Sequence, residues 1–336
     1  MPKARPREGK IRLYVESLTR QPEVFHITPE RYARVAARLP EIAARIDPVL
    51  SFDGAKFAEN VETADVMVGW EFDRKAVRER AENLALVHIT GAGLDHLRPF
   101  DWLPSGARLT NNSGVHGEKA GEFAFMAVLM LNNRMPQLMN AQAGRKWDRA
   151  FASVSAGKTL LVVGVGHMGA EVARYAYRNG LTVLGIRRSG KANRYVHKMG
   201  TPDRLAEFLP LADFVVVTAP AVEETKHLIG AAELALMKDT AGLVNMARAH
   251  LVDYSALSRV LESGGLSGAI LDVFSPEPLP ADSPLWSVPR LILTPHCSSD
   301  DADLYAEKTL ELVFRNIDRL LGGRKLKNVV DLTRGY

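Results

Sequence analysis

The stretch LLVVGVGHMGAEVARYAYRNGLTVLGIRRSG, residues 160–190, holds the first residues whose types and spacing could do chemistry. Gly164, Gly166 and Gly169 form G-x-G-x-x-G directly after a strand-like apolar run and at the start of a helical pattern, with His167 and Met168 inside the loop. The first glycine allows a tight turn, the second lets a pyrophosphate approach the backbone, and the third lets helix and strand pack closely. The helix N-terminus then faces the phosphate charge. Alone the pattern is weak, and a glycine-rich turn of no function is the bland alternative. With strand, helix and a second strand in place, it predicts dinucleotide binding.

The second strand, LTVLGI, ends at Arg187, 23 positions after Gly164. An acid about here would accept hydrogen bonds from the ribose hydroxyls of NAD and repel the 2′-phosphate of NADP. Guanidinium groups offer planar paired donors to phosphate oxygens instead. Arg187, Arg188 and the hydroxyl of Ser189 therefore read as a 2′-phosphate clamp, with NADPH preferred over NADH; a solvated basic turn is the alternative. Three further stretches hold polar groups at strand ends: LVNMARAHLVD with Arg248, LDVFSPEPLP with Glu277 in a proline-braced loop, and LILTPHCSS with His296, 19 residues after Glu277. Ligands of open parallel sheets sit outside the carboxyl ends of the strands, so these three should converge on the cofactor.

Such residues need an α/β scaffold to position them, and the chain reads as one. Short apolar runs alternate with helical patterns throughout its 336 residues, enough for two domains. IRLYVES, DVMVGW, LALVHIT and ARLTNN read as strands, with helical spacing in PERYARVAARLPEIAARI and RKAVRERAENL between them. The long helix EKAGEFAFMAVLMLNNRM, with a broad apolar face, leads away and should be buried between domains or against a partner subunit. The alternation restarts at KTLLVVGV and continues through LTVLGI, ADFVVVTA, AGLVNMA, LSGAILDV and RLILTPH, six strands of a dinucleotide-binding sheet. A last amphipathic helix, DADLYAEKTLELVFRNIDRLL, should cross back and pack on the first domain.

Composition excludes other classes. Apolar residues are 46% and charged residues 24%, ordinary for a chain that buries large cores. The longest apolar run, Phe123–Leu131, is too short for a bilayer, so no membrane partner is expected. No apolar leader follows the basic opening MPKARPREGK, which reads as a solvated tail rather than a nucleic-acid arm. Cys297 is the only cysteine, which excludes an intrachain disulfide and fits a reducing cytoplasm. Beside His296 it invites a nucleophile reading, but neighbours on an extended segment point oppositely, so a small buried hydrophobe is expected. Trp147 and Trp286 could wall a substrate site or pack in a core or interface.

With these motifs in hand, the chain resembles the D-isomer-specific 2-hydroxyacid dehydrogenases from about residue 60 to its C-terminus. The match rests on the glycine loop, APAVEETKHLIG, VNMAR, DVFSPEPLP, PLW and TPH, in family order and spacing. The arginines at the cofactor-acid position and GAGLDHL look most like NADPH-using glyoxylate/hydroxypyruvate reductases. The resemblance implies a Rossmann-type dinucleotide-binding domain, residues 111–299, inserted in a flavodoxin-like substrate domain, residues 10–110 and 300–336. It implies that Arg248 binds the carboxylate of a small 2-keto acid and polarises its carbonyl, and that His296 exchanges the proton. Glu277 would orient the imidazole, and the backbone amides of Gly91, Ala92 and Gly93 would grip the carboxylate from the other side. Ala219, Pro220, Thr225, Met246, Ala247 and Asp272 fall on cofactor-binding positions, Asp95 and Glu122 on structural ones. A homodimer is expected and a metal is not.

Departures from the family stand out. Ala249 follows the arginine where glycine is usual, which would strain a backbone of positive φ. Cys297, Ser298 and Ser299 replace small residues beside the nicotinamide, which bears on substrate range. Corepressors resembling this family form a competing class, dinucleotide-sensing interaction proteins, but they favour NAD(H) and carry extra segments. A phosphorylated substrate would want more cations than His88 and His96 supply.

Overall fold

The computed structural model describes residues 9–335; the opening MPKARPRE, read above as part of a solvated tail, lies outside the described residues. The chain forms two compact units, one running through His116 and taking in the residues from Asp301 onward, the other Gly117–Asp300. The breaks fall after residues 116 and 300, against 110 and 299 in the sequence reading.

The first unit holds β1 (Ile11–Ser17), β2 (Ile46–Phe52), β3 (Val66–Gly69), β4 (Leu86–Ile89) and β5 (Arg108–Asn111), in the order β2-β1-β3-β4-β5. Every pairing is parallel, and this is the flavodoxin-like order. Side chains alternate across the sheet: Ile11, Leu13 and Val15 enter one core, and Tyr14 enters the other. The expected helix from Pro29 stops at Arg38, and after one more short helical turn the chain enters β2. Helical spacing had hidden this strand. Pro48 is tolerated because β2 lies at the sheet edge, with only one neighbour to bond. The helix Tyr305–Leu321 packs Ala306, Leu310, Val313, Phe314 and Ile317 into the core of this unit, and its buried Glu307 pairs with Arg34 and Arg38.

The second unit holds β6 (Thr159–Val163), β7 (Thr182–Ile186), β8 (Lys198–Gly200), β9 (Phe214–Val217), β10 (Gly242–Asn245), β11 (Gly268–Leu271) and β12 (Leu291–Leu293). Their order is β12-β11-β10-β9-β6-β7-β8, all parallel. This is the doubly wound dinucleotide-binding topology with one strand more than the six expected. The additional strand is the three-residue β8, too short to leave a pattern. Both faces are covered: Leu161 and Val163 join one core, Leu160 and Val162 the other. The helix Gly117–Asn132 lies against this sheet with Ala120, Phe123, Ala124, Ala127, Val128 and Leu131 buried, leaving Met126 and Leu129 exposed. Among the described residues no helix is long and apolar enough to cross a membrane.

Candidate active site

The carboxyl edge of the second sheet carries nearly every polar group singled out in this unit. Along the strand order, His296 follows β12, Glu277 follows β11, Arg248 follows β10, Ala219 and Pro220 follow β9, the glycine loop follows β6, and Arg187 follows β7. The winding reverses between β6 and β9, the switch point at which such sheets take ligands.

The glycine loop has the shape of a phosphate cradle. Gly164 sits at φ 105°, and a Cβ there would overlap the backbone of Ala219 and lie 2.8 Å from the carbonyl carbon of Thr218. A Cβ on Gly169 would overlap the Gly164 carbonyl and lie 2.8 Å from Thr218 Oγ1. Gly166 is different: no protein atom lies within 4 Å of the place its Cβ would take. The fold therefore demands glycine at the first and third positions and leaves open space at the second, where a pyrophosphate would approach. Gly166 also caps the helix His167–Arg178 without a side-chain hydrogen bond, and the first turn has no acid, so the helix N-terminus suits an anion. A nicotinamide dinucleotide fits these residues.

At β7 the backbone N–H of Arg187 bonds the Gly200 carbonyl at 2.9 Å, and the Gly190 N–H bonds the Arg187 carbonyl at 2.9 Å. A tight turn thus presents Arg187 half-buried and Arg188 and Ser189 exposed. Thr225 uses its hydroxyl within its own loop, donating to the Pro220 carbonyl and accepting from the Val222 N–H at 2.9 Å. Met246 and Ala247, just past β10, are both buried.

Arg248 is held by groups that sequence reading passed over. Asn245, fully buried at the end of β10, accepts from the Ala247 N–H at 3.1 Å and donates to the Arg248 carbonyl at 3.0 Å. Its amide also meets the Tyr254 hydroxyl at 2.9 Å, which donates to the Val273 carbonyl at 2.7 Å, linking the arginine turn to β11. Burial pushes the Tyr254 phenol pKa up, keeping it a neutral donor. An asparagine inside an apolar strand was the available signal. Ala249 opens a 3-10 turn and has no positive φ, so the strain considered for alanine does not arise.

His296 Nδ1 lies 2.7 Å from Glu277 Oε2, and Glu277 Oε1 accepts the Phe274 N–H at 2.8 Å. With the carboxylate accepting at Nδ1, Nε2 is the atom left to exchange a proton. His296 itself adopts φ 50°, a left-handed conformation that non-glycine residues rarely take. Asp272 sustains it: its buried carboxylate accepts from the Thr294 hydroxyl at 2.6 Å and from the Cys297 and Ser298 N–H groups at 3.1 and 3.2 Å. Asp272, read above as a cofactor contact, thus spends both oxygens on the loop that carries His296. Two expectations for Cys297 fail here: the segment is not extended, and the thiol is exposed rather than a buried hydrophobe. Partial burial still raises its pKa.

In the first unit the Gly91–Gly93 turn follows β4 and is anchored by its carbonyls. Asn112 N–H bonds Gly91 O at 3.0 Å, and Asn111 Nδ2 bonds Ala92 O at 2.8 Å. Asp95 opens a short 3-10 turn after it, and Glu122 pairs with Lys119 at 2.6 Å on the helix surface. Trp147 is 90% exposed, which removes it from any core of this chain, and Trp286 is 56% exposed with its indole N–H on the Pro280 carbonyl.

Known proteins resemble this chain in sequence and in fold. The model of the D-isomer specific 2-hydroxyacid dehydrogenase NAD binding domain matches residues 125–298. The glyoxylate reductase of Korarchaeum cryptofilum is 32% identical over 290 residues, covering 81% of this chain and 84% of that enzyme. The D-3-phosphoglycerate dehydrogenase of Methanocaldococcus jannaschii is 30% identical over 311 residues, 88% of this chain, though the match spans only 57% of that longer protein. Among solved structures, the NADPH-dependent glyoxylate/hydroxypyruvate reductase of Sinorhizobium meliloti, in complex with NADP and sulfate, superposes with a TM-score of 0.80 at 25% identity, covering 97% of this chain and all of that one. A doubly wound sheet with a glycine cradle at its switch point fits many oxidoreductases. One that also sets an arginine, a glutamate and a histidine on its last three strand ends narrows the choice, and with these matches the chain belongs to the D-isomer-specific 2-hydroxyacid dehydrogenases.

Proposed function

We propose that the chain reduces small 2-keto acids of the glyoxylate and hydroxypyruvate type to D-2-hydroxy acids, with NADPH preferred over NADH. The observation that carries this reading is the sequence of groups along one sheet edge. Two arginines stand beyond β7, the cradle follows β6, and Arg248, Glu277 and His296 follow β10, β11 and β12. At about 4.8 Å per strand, the five steps from β7 to β12 span roughly 24 Å, room for an extended dinucleotide and an acid beyond it.

The bound nicotinamide supplies the hydride. The chain supplies the rest. Gly164, Gly166 and Gly169, with His167 and Met168, bring backbone and helix N-terminus to the pyrophosphate. Arg187, Arg188 and Ser189 bind the 2′-phosphate, which a carboxylate at this position would repel. Arg248 pairs with the substrate carboxylate and polarises its carbonyl, while the amides of Gly91, Ala92 and Gly93 hold the carboxylate in place. His296 gives its Nε2 proton to the carbonyl oxygen, and Glu277 keeps the ring oriented and complements the imidazolium charge. The exposed apolar side chains of Met126, Leu129, Met139, Trp147, Phe151 and Val154 would be covered in a homodimer.

A panel of 2-keto acids assayed with NADPH and with NADH tests this. Glyoxylate or hydroxypyruvate should be reduced with a higher kcat/KM for NADPH. Oxidation of neither cofactor by any acid would overturn the reading in favour of a dinucleotide-sensing binding protein.

A further inference from the structure

We infer that Tyr254 is a positioning residue: its hydroxyl joins the turn that carries Arg248 to the loop that carries Glu277, so that the arginine and the histidine act on one substrate in register. The inference rests on the function proposed above and adds the side chain that couples its two polar ends.

The network starts at the arginine. Asn245 Oδ1 accepts the N–H of Ala247, whose carbonyl takes Arg248 Nη1 at 2.7 Å, while Asn245 Nδ2 donates to the Arg248 carbonyl and to Tyr254 Oη. One amide thus holds the chain on both sides of Arg248, and both Nδ2 hydrogens are used. Tyr254 Oη has a single hydrogen to give, and it goes to the Val273 carbonyl at 2.7 Å. That carbonyl shares its peptide group with the Phe274 N–H, which donates to Glu277 Oε1 at 2.8 Å. Glu277 Oε2 in turn faces His296 Nδ1 at 2.7 Å. An unbroken series of hydrogen bonds therefore runs from Arg248 to the imidazole, past the ends of β10, β11 and β12, with one side-chain hydroxyl at its middle. A peptide group is rigid, and a donor on its carbonyl strengthens its N–H as a donor, so a change at Oη reaches Glu277.

Packing does not make the same connection. A cavity of about 430 Å³ is lined by Ala249 and His250 beyond the arginine and by Ser275, Pro276 and Leu279 of the glutamate loop, with Tyr254 on its wall. Where turn and loop would otherwise interlock there is space, and the hydroxyl bridges them beside it. Tyr254 is itself firmly placed. It opens the helix Tyr254–Ser263, which Asp253 caps by accepting the Ala256 N–H at 3.0 Å, and the Asp253 N–H bonds the Ile229 carbonyl at 3.0 Å. Its ring packs against the buried core of this unit.

The experiment measures kcat and KM for glyoxylate and hydroxypyruvate at saturating NADPH in the full-length chain, with Tyr254→Phe and Glu277→Gln alone and together. Tyr254→Phe keeps the ring and removes only Oη. It should lower kcat roughly three- to tenfold and raise KM by a similar factor, the scale of one neutral hydrogen bond, while NADPH affinity by calorimetry stays within twofold of wild type. In the Glu277→Gln background the same substitution should raise KM as before but lower kcat less than twofold, because the imidazole has already lost its carboxylate. In the cofactor-free chain the Phe274 amide should exchange with solvent at least threefold faster in Tyr254→Phe. Equal losses of kcat in the two backgrounds, or an unchanged Phe274 amide, overturn the positioning role and leave the proposed reaction standing. A Tyr254→Phe chain that does not fold makes the hydroxyl structural and overturns the role as well. A wild-type chain that reduces neither acid overturns the reaction itself, and this role with it.

Discussion

Acid between pH 7 and pH 5 should weaken the first unit through the buried His88. The side chain is fully buried in β4, with Nδ1 2.9 Å from Thr110 Oγ1 and Nε2 3.0 Å from Asn112 Oδ1. The Asn112 amide nitrogen donates to the Thr90 carbonyl at 2.8 Å and to Thr309 Oγ1 at 2.7 Å, which turns Oδ1 toward the imidazole. That oxygen can only accept, so Nε2 carries the proton and Nδ1 takes the threonine hydroxyl. A second proton has no place, and burial lowers the pKa from 6.5 to about 4. Between these two values the unfolded chain binds a proton that the folded chain refuses. The contribution is therefore complete above pH 6.5 and is lost as pH falls through the window. A tenfold change in proton concentration is worth about 1.4 kcal/mol, so the loss is about 2 kcal/mol from pH 7 to pH 5 and approaches about 3 kcal/mol at pH 4. Native-state hydrogen exchange of the Leu86–Ile89 amides, corrected for intrinsic rates, reads the opening free energy of this strand. His88→Gln removes the titration and serves as the reference for every other acid-sensitive group. Equal losses in wild type and His88→Gln between pH 7 and pH 5 would refute the reasoning, as would an imidazole resonance of His88 that titrates near 6.5.

Three further outcomes follow from the second unit. Replacing Arg187 with Asp and Arg188 with Ala should weaken NADPH binding by about 2 kcal/mol, some thirtyfold, and NADH far less; isothermal titration with both cofactors checks it, and an unchanged preference removes the clamp. His296→Ala should lower kcat roughly 10²- to 10⁴-fold, the span for losing a general acid, and near-normal turnover would assign the proton to another group. Gly169→Ala places a methyl group against Gly164 O and Thr218 Oγ1. Dinucleotide binding should fall below detection by calorimetry while circular dichroism still reports an α/β fold; binding within threefold of wild type would contradict the close packing.

Strand and helix periodicity made the architecture legible wherever one face or both were apolar over several residues. Val66–Gly69, Leu86–Ile89 and Phe214–Val217 are buried throughout and stood out as short apolar runs. β2 did not, because Asp47 and Pro48 break its pattern and the preceding helical spacing runs up to Ile46. Glycine types and spacing showed the cradle because backbone clash dictates them locally. What stayed hidden depends on tertiary neighbours. Nothing in GAGLDHL says that the indole of Trp70, twenty-one positions earlier, lies on Gly91, nor does a buried asparagine in VNMAR announce which turn it holds. The reading of Cys297 failed for a related reason: it assumed an extended backbone, and His296 is left-handed.

That left-handed turn places the last prediction on Asp272. The conformation of His296 is costly, of order 1–3 kcal/mol, and persists only where its surroundings impose it. Here the imposing group is one carboxylate with three donors: the Thr294 hydroxyl before the histidine and the Cys297 and Ser298 N–H groups after it. Asp272→Asn keeps the volume but replaces one accepting oxygen with an N–H₂ donor, so at least one buried donor in the loop loses its acceptor, at about 1–3 kcal/mol. The loop can recover that energy by relaxing His296 to negative φ, which swings the ring from Glu277. The variant should therefore lose kcat well beyond its loss of stability, with cofactor affinity little changed, because the glycine cradle lies three strands away across β10 and β9. Stopped-flow turnover, cofactor titration and thermal unfolding on one preparation separate these effects. A fall in cofactor affinity that matches the fall in kcat would mean Asp272 serves the nicotinamide directly and the loop only secondarily.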